Sequence, residues 1–186
     1  PERVDLATDD WPFLYMQHAT LPPVYLLIMF MFVAFGVFGV WLCGEAKPSQ
    51  AKEYMPFALM GAAFLLLETK SIVQFSLLFG ATWLVNSLVF FAILSSVLFA
   101  NFIVYKIPFK HSSLLFFLLF SSLLLQYFLP TETLLAIQQF ELRYVFASLL
   151  FFAPIFFANL IFGYFFKDTK VGPLAFGWNI IGTMIG

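Results

Sequence analysis

Residues 24–43 hold twenty consecutive positions without a charge. At about 1.5 Å of rise per residue, a helix of that length matches a hydrocarbon core of about 30 Å. The pattern recurs. Runs poor in charge cover 54–79, 83–105, 112–129 and 144–166, and an incomplete run covers 174–186. None alternates with period two along its length, and all five full runs exceed a barrel strand of about 9–11 residues. In lipid the backbone must satisfy its own polar groups, which a helix does within one segment. The expectation is an all-α polytopic membrane protein with five spanning helices plus part of a sixth.

Composition supports this. Charged residues make up 10% of the chain, against about 25% in soluble domains. Phe occurs 28 times and the mean hydropathy is +0.96. A net charge of −1 offers no basic field for nucleic acid. The single cysteine, Cys43, excludes an internal disulfide and a cysteine-based metal cluster. The chain opens on Pro1, and PERVDLATDD has neither the basic nor the apolar region of a signal peptide. The expectation is an internal or C-terminal piece of a longer polypeptide. Residues 1–23 then form the tail end of an upstream soluble domain and a linker, and 24–186 the membrane region.

The loops orient the helices. Arg3 and Arg143 fall on the side of the N-terminal segment, side A; Lys47, Lys52, Lys106, Lys110, Lys167 and Lys170 fall on side B. The excess of Lys and Arg marks side B as cytoplasmic.

Within 54–79 stand Glu68 and Lys70. A charge at the centre of a spanning helix costs about 2.5–3.5 kcal/mol on insertion scales. At about 100° per residue, Lys70 lies about 200° around from Glu68, so the two cannot pair on one regular helix. Gln74 shares the face of Lys70, and Gly61 that of Glu68. In a hairpin turning near Gly80, Gln74 is level with Asn86, which predicts an interhelical amide bond. Glu68 falls within about a turn of Ser95 and Ser96. It must be protonated, paired from another helix, or wetted. Two readings stay open: an ion, proton or substrate site, and a buried polar clamp between helices.

The stretch FLLLETKSIVQFSLLFGATWLVNSLVFFAIL, 64–94, resembles a segment of bacterial multi-spanning membrane proteins that carry a spermidine-synthase-like domain. ATDDWPFLY, 7–15, resembles the sequence that closes the soluble domain in those proteins. GWNIIGTMIG, 177–186, resembles their Gly-rich GxNxxGxxxG helix. The resemblance implies a bacterial inner-membrane location and a separate Rossmann-like domain using an S-adenosyl-derived cofactor in aminopropyl transfer or related chemistry. This chain has no Gly-rich loop after a strand, so it is expected to hold no cofactor itself.

Asp9, Asp10 and Trp11 could hold the ammonium groups of a polyamine, with cation–π attraction from the indole; an Asx-type turn explains the same residues. His18 and His111 lie on opposite sides, three expected spans apart, so no metal site is expected. Pro154 is expected to kink its helix, Asn159 and Gly163 share a face beyond it, and Gly182 and Gly186 allow close packing. No catalytic constellation appears. The functional expectation is a membrane region that anchors, or forms a site beside, the soluble domain. The upstream helices, that domain and the lipid are its partners. The alternatives are a transporter or channel piece with Glu68 and Lys70 on the path, and a structural subunit of a membrane complex.

Overall fold

The computed structural model describes residues 22–42, 48–80, 82–107, 111–129 and 131–186. These fold into seven helices with no strand among them: α1 Pro23–Leu42, α2 Pro48–Phe79, α3 Trp83–Lys106, α4 Ser112–Phe128, α5 Thr131–Leu135, α6 Phe140–Lys167 and α7 Gly172–Ile185. Three are long and apolar enough to cross a membrane: α2 over Lys52–Phe79, α3 over Val85–Lys106, and α6. The apolar stretches Pro23–Gly39 and Ser112–Phe128 are shorter. Of the five expected spans, three therefore have the length and apolarity to cross a bilayer, as in a membrane protein.

Local chemistry sets the boundaries. Gly80 ends α2 with φ +86, a conformation that costs glycine little, and its N–H bonds the Ser76 carbonyl. Thr82 caps α3: the Val85 N–H donates to its Oγ1 at 3.3 Å. The helix expected at 54–79 starts earlier, at Pro48. Proline fits the first turn, where its missing N–H has no partner to lose, and Gln50, Ala51, Lys52 and Glu53 are good helix formers. The connection expected at 130–143, with a short interfacial helix as one form of it, contains the short helix α5 and the first turn of α6.

α6 lies at the centre. Half of its apolar window is covered by protein, against 17% for α2 and for α3. It packs on α2, α3 and α4, while α7 packs on α2 and α1. Phe75, wholly buried, sits edge-on to Tyr144 and Phe151 and stacked on Phe152. Val85, Val89 and Ile93 of α3 close the same cluster. Outward faces carry exposed Phe, Leu and Val, as lipid contact requires. Trp83 and Tyr127 stand exposed at side-A helix ends and Tyr105 at a side-B end, the interfacial position favoured by amphipathic rings. Lys52, Lys106, Lys167 and Lys170 all lie at side B, where Lys170 Nζ approaches Glu53 at 3.9 Å.

Candidate functional site

The polar residues of α2 point to different neighbours along its length. Lys70 Nζ donates to Gln126 Oε1 of α4 at 3.1 Å. Gln126 is buried, and its Nε2 donates to the α6 carbonyls of Leu150 at 2.9 Å and Phe151 at 3.2 Å. Ser71 Oγ reaches the same Phe151 carbonyl at 3.1 Å. The cause lies four residues further on. Pro154 has no N–H, so the Leu150 carbonyl loses its helical donor. Gln126 supplies the missing hydrogen, and Lys70 holds the other end of its amide. The helical proline and the intramembrane lysine thus belong to one bonded group spanning α2, α4 and α6.

Glu68 is half-buried, and no described residue donates to it or pairs with it. It does not meet Lys70, as their opposite faces require. It shares a face with Gly61, which packs on α7. Gly186 lies against Ala62, and Glu68 lies about 9 Å further along α2.

The expected Gln74–Asn86 bond does not form. Gln74 Oε1 is buried with no partner among the described residues, and no described side chain bonds the Asn86 amide. The two residues are level, but Gln74 shares the Lys70 face, toward α4 and α6. Phe75 and Phe79, not Gln74, turn toward α3 and the start of α6. Height along a hairpin does not set azimuth. Ser148 Oγ of α6, also unpaired, lies at Gln74's level, since Ser71 opposite Phe151 sets that register. Asp9, Asp10, Trp11, His18 and Cys43 lie outside the described residues. His111 is exposed ahead of α4 and makes no side-chain cap. No group of metal-ligating side chains occurs among the described residues.

A second feature lies nearer side B. A cavity of about 560 Å³ opens between α2, α3, α4, α6 and α7. Its walls are apolar except for three amides: Asn101, Asn159 and Asn179. Asn179 Nδ2 donates to the Phe57 carbonyl at 3.1 Å and Asn159 Nδ2 to Ile155 at 3.0 Å. The signal for this cluster was present in the sequence: three asparagines in apolar runs, each a few residues from the side-B end of its helix. The sequence pointed to Asn159 as a packing residue and to Asn179 only within the GxNxxGxxxG resemblance. Its expected packing is present beside it, where a Cβ on Gly163 would stand 3.1 Å from Val104.

The α2–α7 contact is a backbone contact. A Cβ on Gly61 would overlap the Asn179 carbonyl oxygen, and one on Gly182 the Ala58 carbonyl oxygen; on Gly186 it would stand 2.5 Å from Ala62 O. Gly182 opposite Ala58 and Gly186 opposite Ala62 make the helices parallel. The expected GxxxG packing is therefore present.

No protein-family model matches this chain, and neither a curated protein nor a solved structure matches it.

Proposed function

We propose that the chain is the membrane-embedded region of a spermidine-synthase-like polypeptide, anchoring a separate soluble domain. In this reading α1 and α4 also cross the bilayer, giving five spans with α7 as part of a sixth. Ser112–Phe128, at 17 residues, is at the short end of spanning length. The observation that carries the anchoring role is the Lys70–Gln126 bond. It ties an intramembrane charge to a neighbouring helix and so supports the clamp over a conduit. The resemblance of 7–15, 64–94 and 177–186 supports the family. An S-adenosyl-derived cofactor would belong to the soluble domain, with Asp9, Asp10 and Trp11 as polyamine contacts near the junction. The bilayer is a bacterial inner membrane.

Two experiments test this. Cysteines replacing Lys106 and Thr133 should react with impermeant reagent from opposite sides, as should cysteines replacing Tyr25 and Lys52. Same-side labelling removes α4 or α1 from the spans. The full-length polypeptide should bind an S-adenosyl compound, and residues 1–186 alone should not; a full-length protein that binds none refutes the family reading. A transporter reading has one observation in its favour, that Glu68 has no partner among the described residues. Under anchoring, Glu68→Gln leaves cofactor chemistry and ion flux unchanged; a change in proton- or polyamine-dependent flux would favour transport.

A further inference from the structure

We infer that the cavity between α2, α3, α4, α6 and α7 is a binding site for a single-chain neutral lipid with a hydroxyl or carbonyl head. Its volume of about 560 Å³ falls within the range of about 300–1,000 Å³ usual for ligand sites. The walls decide the ligand's body. Met60, Phe64 and Leu67 of α2 line it together with aromatic residues of α4, α6 and α7. Leu59 and Phe176 at its rim are 62% and 52% exposed, so the mouth opens on the outer face of the bundle, where acyl chains lie. A water-soluble ligand would have no route to that mouth except through lipid.

The three asparagines decide the head. No charged side chain lines the cavity, so a phosphate, carboxylate or ammonium head would lose its hydration without a counter-charge. Asn159 is 9% exposed; one N–H of its Nδ2 donates to the Ile155 carbonyl, while no described residue donates to its Oδ1. Oδ1 is an acceptor lacking its donor, in a place where an unmet polar group is costly. A ligand hydroxyl can donate to it. Asn101 makes no hydrogen bond to any described residue, and its amide N–H₂ can serve a carbonyl or hydroxyl oxygen. Counted from Lys106, Lys167 and Gly172, the three amides lie about 7, 12 and 10 Å inside the side-B helix ends. The head therefore sits below the phospholipid headgroups, and the chain runs from there toward the midplane at Leu67.

The test uses the protein in phosphatidylcholine nanodiscs and a long-chain fatty alcohol carrying a mid-chain diazirine and a terminal alkyne. Photolysis should label peptides that contain Met60, Phe64 or Phe116. Excess unmodified fatty alcohol should suppress labelling; an alkane of equal length should compete about threefold less well, one membrane hydrogen bond's worth. Ala63→Phe, which places a ring in the cavity, should cut labelling at these peptides at least tenfold. Asn159→Leu and Asn101→Leu, each checked for an unchanged unfolding temperature, should abolish the preference for alcohol over alkane while leaving apolar labelling. The proposal is overturned if label spreads over lipid-facing helices such as α1 and ignores Ala63→Phe. It is also overturned if alcohol and alkane compete equally against the unsubstituted protein. An absence of cavity labelling, as when another helix fills the space, overturns it too.

Discussion

The two halves of α2 are held by different balances of the same means. Toward side B, Gly61, Gly182 and Gly186 let the backbones of α2 and α7 touch, beside Tyr54 and Phe57 packed on Leu174 and Ala175. Toward side A it meets α4 and α6 through Lys70, Ser71 and Gln126. In lipid, apolar area gives helices little reason to associate, because acyl chains are as apolar as leucine. Two sources of attraction remain, close van der Waals contact and interhelical hydrogen bonds, and their balance differs: backbone contact dominates the side-B half beside one Asn179–Phe57 bond, while the side-A half adds the Lys70–Gln126 group to the packing of Phe75. The difference lies in tolerance. A close contact fails when any atom is added, whereas a hydrogen-bonded group fails when one is removed.

Substitutions sharpen that contrast, and the glycine half should be the more sensitive. Gly182→Leu should cost about 3 kcal/mol, since the new side chain meets backbone that cannot yield. It should appear as the largest fall in unfolding temperature in detergent and as new protease cleavage before α7. A fall no larger than that of Gln126→Leu would reverse the ranking. Gln126→Leu comes next, at about 1–3 kcal/mol, because it strands the Leu150 carbonyl and frees Lys70. Glu68→Gln should change stability by about 0.5 kcal/mol or less, as no described partner is lost. A larger loss by thermal unfolding would mean that Glu68 has a partner. Gln74→Leu should be neutral or slightly stabilising, because it removes a buried acceptor with no donor. Clear destabilisation would instead indicate a bridging water, with Ser148 as its other holder.

The helices were legible because runs near twenty apolar residues have few alternatives, and Gly80 and Thr82 punctuate one turn in plain view. The opposed faces of Glu68 and Lys70 were legible for the same geometric reason. Boundaries failed where charge was mistaken for loop: Lys52 and Glu53 sit on the first turns of α2 outside the core, and Glu141 and Arg143 do so on α6. Partners were harder. Hairpin register pairs neighbours in sequence, so it proposed Asn86 for Gln74. The actual bond from α2 reaches Gln126, 56 residues away from Lys70. Pro154 was read as a kink; what its lost hydrogen bond would attract from another helix required knowing which helix lay beside it. The three cavity asparagines were visible singly, but their convergence depends on α7 returning parallel to α2.

The account rests on Gln126 supplying the hydrogen that Pro154 withholds from Leu150. A double-mutant cycle measures this directly. Pro154→Ala restores a backbone N–H within α6, so Gln126→Leu should cost at least about 1 kcal/mol less in that background than in the unsubstituted protein. If the two changes add to within about 0.3–0.5 kcal/mol, Gln126 is not compensating for the proline, and the clamp as described does not exist.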